Sequence, residues 1–272
     1  MKNKIIAHRG IFNNIDIPEN SMKAFEKALK LNYPIELDVQ LTKDNVLVVL
    51  HDLSLKRMTG NSLILQELTY DEIKDFTLIH TKEKIPKLKD VLKLIDDQVF
   101  LDIEIKKTER IEDTCNVLVK ELKKYHNYDI KSFDSKIVRY LKKNYSYLTV
   151  GYLLEYSNKF LDKLKTNFII KYCKPDFIAM PKKLLTIKKF KKLSKKYPTM
   201  IWTITNKKEI TDKEYTYICN NLPFKWLVFG RGIEPPSFPS EGKVLSIKLP
   251  KHKIVKPKLH YFLFLHLLLQ YI

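Results

Sequence analysis

Apolar and polar positions alternate along this chain in short runs whose period switches repeatedly between two and about three and a half. Runs rich in Ile, Val, Leu and Tyr with the shorter period predict strands at 4–7, 35–39, 46–50, 99–105, 128–132, 148–154, 176–180, 199–204 and 215–219. Between them, apolar residues recur every three or four positions among lysines, which predicts helices at 21–31, 88–95, 111–125, 135–143 and 187–196. Strand followed by helix, repeated this often, predicts a parallel sheet closed into a TIM-type (β/α)8 barrel rather than an open sheet or a sandwich. Nine runs are one too many for eight strands. The surplus falls on the third, because Thr42, Lys43, Asp44 and Asn45 form a turn cluster that reads as a hairpin excursion after strand 2 instead of a crossover. Residues 53–87 form an irregular connection with a short helix near 70–76, a small insertion in the barrel. After Pro223 the alternation stops, and Pro235, Pro236, Pro239, Pro250 and Pro257 interrupt a basic segment that ends in an apolar run at 261–272. The predicted division is a barrel over 1–225 and a basic and apolar appendage over 226–272.

Composition sharpens this picture in two places. The 272 residues include 50 basic and 31 acidic side chains, a formal charge of +19, with 44% hydrophobic residues. That hydrophobic share excludes a disordered or collagen-like chain. The charge is uneven: residues 1–110 are balanced, and the whole excess lies beyond them. Lysine supplies most of it, so the charge by itself does not predict a nucleic-acid partner, and none is expected. Lys183 and its neighbours over 182–196 form a lysine-rich stretch without an acid, which reads either as an anionic-surface contact or as a solvated helix face. Cys115, Cys173 and Cys219 are too few and too scattered for a disulfide framework or a thiolate zinc site. Lys4 is followed only by a short apolar run, which does not make a secretion signal, and a cytoplasmic location is expected. The apolar run at 261–272 is too short to span a bilayer as a helix. Behind the lysines of 243–258 it is equally readable as a peripheral membrane contact and as a packed terminal element.

The candidate chemistry sits on strands and at their ends. Glu36 and Asp38 are two apart in the strand Ile35-Glu36-Leu37-Asp38-Val39, so both carboxylates share one face while the aliphatic residues take the other. Asp102, Glu104 and Lys106 repeat the alternation. Carboxylates turned together into a barrel repel one another unless a cation lies between them, and an all-oxygen set suits Mg²⁺ or Ca²⁺ better than Zn²⁺. His8 follows the first strand and His51 ends the strand returning from the hairpin, two imidazoles able to divide general-acid and general-base work. Arg9 offers a planar fork for a phosphate or carboxylate. Taken singly, each of these residues is also readable as structural. Their order along consecutive strands favours a shared site.

The chain resembles the glycerophosphodiester phosphodiesterase family. The resemblance is carried by Ala7-His8-Arg9-Gly10, Pro18-Glu19-Asn20-Ser21, Glu36-Leu37-Asp38, Leu50-His51-Asp52 with Arg57 and Thr59, Ile85-Pro86-Lys87-Leu88, Asp102-Ile103-Glu104-Ile105-Lys106, Ser132-Phe133-Asp134 and Trp202-Thr203, covering about 4–225. It implies a (β/α)8 barrel with a divalent metal at the C-terminal ends of its strands, held by Glu36, Asp38 and Glu104. It further implies His8 and His51 as the acid/base pair, Arg9 and Lys106 as phosphate contacts, and Trp202 as an apolar wall. The activity implied is metal-dependent hydrolysis of a small-molecule glycerophosphodiester to glycerol 3-phosphate and an alcohol through a cyclic phosphodiester; His8 is assigned as base and His51 as acid, with the reverse order left open by the sequence. Family members carry an insertion at 53–87 that caps the site, and its shortness here implies a small cap and a cleft open to bulky substrates. Asp52 and Asp102 read as supporting residues rather than ligands, and Glu19 and Asn20 as a turn and helix cap. The last strand departs from the family pattern: the Thr-Asp-x-Pro element is replaced by Asn220-Asn221-Leu222-Pro223, which predicts altered substrate contacts. Two other functions remain open at this point: a phosphodiesterase acting on a lipid or a glycerol-phosphate polymer, and a non-catalytic protein that binds anionic surfaces.

Overall fold

Eight strands run parallel and close on themselves. In chain order they are β1 (Ile5–His8), β2 (Ile35–Leu41), then, after a short β3 (Leu47–Val49), β4 (Leu101–Ile105), β5 (Tyr128–Ser132), β6 (Val150–Leu153), β7 (Phe177–Pro181), β8 (Thr199–Ile204) and β9 (Thr216–Cys219). Pairing of β1 with both β2 and β9 shuts the barrel. β3 lies outside the ring, antiparallel to β2 with Val39 opposite Val49, so the hairpin excursion is as expected. Thr42 fixes its turn, its hydroxyl oxygen accepting from the Val46 N–H at 2.9 Å. The structure is a computed structural model that describes residues 5–222 apart from 80, 156–159, 211, 213 and 221. The predicted appendage over 226–272, with its proposed membrane contact, lies outside the described residues.

Side-chain alternation explains why the chain closes this way. Ile35, Leu37 and Val39 of β2 and Leu101, Ile103 and Ile105 of β4 point outward and are buried beneath helices, in the largest apolar cluster. Burying each such side chain stabilises by roughly 1.5–3 kcal/mol. The surrounding helices include α1 (Met22–Lys30), which buries Ala24, Phe25 and Ala28 on one stripe and starts where the Ser21 hydroxyl accepts from the Ala24 N–H. In the segment between β3 and β4 lie the one-turn helices α2 (Lys56–Thr59) and α3 (Tyr70–Ile73), followed by α4 (Leu88–Ile95). α2 and α3 close over a small separate core of Leu55, Met58, Leu65 and Ile73 against Val48 and Leu50, which makes the cap a packed unit rather than a loose loop.

Later crossovers are α5 (Ile111–Leu122), α6 (Ser135–Asn144), α7 (Phe160–Cys173) and α8 (Lys188–Lys196). α6 starts at Asp134, whose carboxylate accepts from the Lys136 N–H at 2.8 Å. α7 is absent from the sequence expectation because its apolar residues do not line one stripe: Phe168 and Tyr172 are exposed while Ile170 and Cys173 are buried. α5 ends three residues earlier than its apolar spacing predicted, and β6 is shorter at both ends.

Candidate active site

The residues at the C-terminal ends of the strands are brought together by register. His8 of β1 lies beside Glu36 of β2, Glu36 beside Asp102 and Asp38 beside Glu104 of β4, and Glu104 beside Lys131 of β5. Glu36, Asp38 and Glu104 are all buried and present ligand oxygens within 4.8 Å of one another. Gly10 lets the chain turn tightly behind them. It sits at φ +78°, and a Cβ there would come within 2.9 Å of the Ala24 backbone, so the turn that holds Arg9 against α1 needs glycine.

Each predicted side chain has a defined place. Lys106 Nζ lies 2.6 Å from Glu104 Oε1 and 3.4 Å from Asp38 Oδ1. Arg9 donates its backbone N–H to Glu36 Oε2 at 3.1 Å, sets Nε 3.3 Å from Asp38 Oδ2, and donates from Nη1 to Glu19 at 2.6 Å. His8 presents Nδ1 to Asn220 Oδ1 at 2.6 Å and Nε2 toward Glu36 Oε2 at 3.8 Å. His51 turns Nδ1 to Asp52 Oδ1 at 2.6 Å, and Arg57 ties Asp52 to Glu19. Trp202 packs edge-to-face on Phe133 with ring centroids 5.6 Å apart. His8, Arg9, Glu36, His51, Glu104 and Trp202 line one chamber of about 100 Å³. Phe133, Trp202 and Thr203 also border a larger cavity of about 530 Å³ that continues past Glu155, Pro181, Lys182 and Lys183.

Three supporting residues escaped the sequence reading. Asn20 is no helix cap: Ser21 caps α1, while the Asn20 amide donates to Asp38 Oδ2 at 2.9 Å. Glu19 lies in a turn, as expected, and in addition bridges two arginines. Lys131 is buried and paired with Glu36 and Asp102. For Lys131 the sequence carried a signal of its own, a cation at an inward position of β5 between Ile130 and Ser132 of the outer face. Asp52 is paired with His51 and Arg57, and Asp102 with Lys131. Asn221 lies outside the described residues, and its neighbour Asn220 is the group that meets His8.

Local charge is consistent with a divalent cation. Arg9, Arg57, Glu19 and Asp52 neutralise one another in a chain, and Lys131 balances Asp102. Arg9 also approaches Asp38, Lys131 approaches Glu36, and Lys106 lies against Asp38 and Glu104, so with Arg57 these four cations face six carboxylates, an excess of about two negative charges among them. Two observations bear on the excess. Asp38 Oδ1 is fully buried and accepts no hydrogen bond. Burial, and next the charge of Asp38, push the Glu104 carboxyl above its usual range, whereas Asp38 is held below its own against the effect of burial, by Lys106 first and then Arg9. An all-oxygen cluster with surplus charge and a buried oxygen that accepts no hydrogen bond fits a hard divalent cation.

Residues 8–211 match the model of the glycerophosphoryl diester phosphodiesterase family. The chain belongs to that family. It is thereby placed among phosphoric diester hydrolases. Among similar proteins is a glycerophosphodiester phosphodiesterase of Caldanaerobacter subterraneus subsp. tengcongensis, 39% identical over 167 residues, which are 57% of this chain and 68% of that protein. A lysophospholipase D of Rattus norvegicus is 28% identical over 215 residues, 72% of this chain and 67% of that one. Of solved structures, a glycerophosphodiester phosphodiesterase from Parabacteroides distasonis superposes with a TM-score of 0.66 at 28% identity, covering 82% of this chain and 95% of that one. The same barrel recurs at 18% identity and TM-score 0.68 in an Oleispira antarctica phosphodiesterase solved with sn-glycerol-3-phosphate, covering 81% and 94%, a likeness of fold alone. No helix among the described residues is long and apolar enough to cross a membrane.

Proposed function

We propose that this chain hydrolyses glycerophosphodiesters to glycerol 3-phosphate and an alcohol, with Glu36, Asp38 and Glu104 holding Mg²⁺ or Ca²⁺ and His8 and His51 moving protons. The observation that carries the reading is that Glu36 and Glu104 line one chamber with two differently partnered histidines, and that Asp38 presents a ligand oxygen within 4.8 Å of theirs. A bound divalent cation would supply Lewis-acid polarisation of a phosphoryl oxygen and offset of its developing charge.

The two histidines are suited to opposite duties. Asn220 Oδ1 is an acceptor facing His8 Nδ1, which keeps the proton there and leaves the Nε2 lone pair to accept a second. His8 is therefore the base: its Nε2 takes the proton of the neighbouring glycerol hydroxyl as that oxygen attacks phosphorus and a cyclic diester forms. His51 faces a carboxylate instead, so its Nε2 can donate a proton to the departing alcohol oxygen while Asp52 balances the ring's charge. Water then opens the cyclic diester with the two roles exchanged. Lys106 and Arg9 border the same carboxylates and would offset charge on the phosphoryl oxygens, and Trp202 gives the glycerol an apolar wall. Release of glycerol 3-phosphate from glycerophosphocholine is the test. Activity that survives removal of divalent ions by chelator, or the change His8→Ala, would sink this mechanism.

A second reading keeps the chemistry and enlarges the leaving group to a lipid or a glycerol-phosphate polymer. The cavity of about 530 Å³ beyond Trp202, lined by Lys182 and Lys183, favours it. A panel of glycerophosphodiesters, lysophospholipids and polymeric glycerol phosphates separates the two by their kcat/KM values.

A further inference from the structure

Lys131 is a charged side chain at 1% exposure in the middle of the barrel. Its Nζ lies 3.0 Å from Glu36 Oε1 and 2.5 Å from Asp102 Oδ2. The proton transfers described above make no use of it. A cation in such a place costs several kcal/mol to desolvate unless it is fully paired. Asp102 alone would suffice to balance it, so the contact to Glu36 calls for a separate explanation.

That explanation lies in how the three carboxylates are held. In each, one oxygen is committed to a protein donor. Glu104 Oε1 is bound by Lys106, Asp38 Oδ2 by the Asn20 amide, and Glu36 Oε1 by Lys131. The opposite oxygens are less encumbered: Asp38 Oδ1 accepts no hydrogen bond and has Lys106 Nζ at 3.4 Å, and Glu36 Oε2 takes one hydrogen bond among the described residues, from the Arg9 backbone N–H, with His8 Nε2 farther off at 3.8 Å. A carboxylate with one oxygen held by an ammonium group presents the other singly. The distinction matters to the two candidate ions. Ca²⁺ takes six to eight oxygens and readily accepts both oxygens of a carboxylate, whereas Mg²⁺ requires a compact, near-octahedral set and takes carboxylates one oxygen at a time.

We propose that Lys131 is a positioning residue that confines Glu36 to one-oxygen ligation and thereby biases the centre toward Mg²⁺ over Ca²⁺. The inference rests on the metal-site reading of the trio. Removing the ammonium has two consequences of different kind. Loss of a nearby positive charge strengthens binding of either ion equally, but freeing Glu36 Oε1 helps only the ion that can use it. The ratio of the two affinities isolates the second effect.

Calorimetric titration of the full chain with MgCl₂ and with CaCl₂ reads that ratio. Lys131→Met is expected to shift it toward Ca²⁺ by about tenfold or more, equivalent to about 1.4 kcal/mol. Because Lys131→Met leaves Asp102 unbalanced in the core, the double variant Lys131→Met with Asp102→Leu, which removes the whole pair, carries the same expectation with less risk to folding. Equal shifts for both ions, or a shift toward Mg²⁺, would overturn the role of Lys131 while leaving the metal site standing. Failure of the unaltered chain to bind either ion would overturn both. A measurement without any variant is also available. Infrared difference spectra of the unaltered chain with and without Mg²⁺ are expected to show the widened separation of carboxylate stretches that marks one-oxygen ligation, and a narrowed separation would count against the proposal.

Discussion

Replacing Asn220 by Ala removes the partner of His8 without touching any proposed ligand. The Asn220 side chain meets His8 Nδ1 at 2.6 Å, while its backbone N–H is bonded separately to the Ile204 carbonyl at 2.9 Å, so the end of β9 keeps its place. A net contribution of about 0.5–1.5 kcal/mol is typical of such a bond. If all of it is expressed in holding the imidazole in its productive tautomer and orientation, kcat falls by about two- to thirteenfold at 1.36 kcal/mol per tenfold. The substrate's binding contacts are elsewhere, so KM is expected to change less than twofold. Asn220→Asp restores an acceptor and adds a negative charge that favours the protonated ring. It is expected to recover much of the rate at high pH, with the ascending limb of the kcat profile moved to higher pH than in the unaltered enzyme. The assay is glycerol 3-phosphate release from glycerophosphocholine across pH 5–10 for the three proteins. An unchanged kcat in Asn220→Ala, a loss confined to KM, or an Asp variant with an unmoved limb would refute the assignment of His8 as a base oriented by Asn220.

Three further outcomes follow from the same geometry. A cation filling the carboxylate trio binds the folded chain only, so Mg²⁺ at a hundred times its dissociation constant is expected to stabilise by about 2.7 kcal/mol and raise the melting temperature, an effect that Asp38→Asn should largely abolish. Burial pushes the thiols of Cys115, Cys173 and Cys219 up to about 12, so all three are expected to resist a thiol reagent at pH 8 in the native chain and to react at once in denaturant; rapid labelling of the folded protein would contradict their burial. The hydrogen bond from Arg57 holds Asp52 down at about 2, against an ordinary value of 3.8, with its own burial opposing and His51 assisting. A carboxyl depressed in the folded state stabilises above the unfolded value and loses that contribution as pH falls through the folded one. Melting curves should therefore lose less between pH 5 and pH 2 in Arg57→Ala than in the unaltered chain, and equal losses would refute the pairing.

The barrel was legible because its strands obey a strict alternation. Ile35, Leu37 and Val39 announce an outer face, and once that face is fixed the carboxylates at 36 and 38 have nowhere to point but inward. The hairpin was legible from its turn residues, which act locally. What stayed hidden depends on contacts far apart in sequence. α7 has no apolar stripe to read, since its exposed Phe168 and Tyr172 blur the contrast on which the helical period depends. Asn20 was mistaken for a cap because its neighbour Ser21 performs that duty and both residue types favour such positions. Its contact with Asp38 spans eighteen positions, and those of Lys131 with Glu36 and Asn220 with His8 span 95 and 212. Local pattern carries no record of such pairings. Closure of the barrel creates them, by bringing β9 and β5 to the same ring as β1 and β2.

The same closure explains why the net charge of the chain says little about its chemistry. The sequence carries +19, yet the proposed centre has too much negative charge, and the two facts are compatible because water and salt screen the surface lysines over about 8–10 Å while the barrel interior is screened far less. Inside, charge is apportioned pair by pair. The arginines at 9 and 57 are spent on Glu19 and Asp52, and Lys131 is shared between Asp102 and Glu36. The affinity of the trio for a cation is therefore set by which lysines and arginines are already engaged, not by how many the chain contains. A surface lysine on α8 can change how an anionic substrate approaches, whereas the cations within the ring would set how tightly the proposed centre holds a metal.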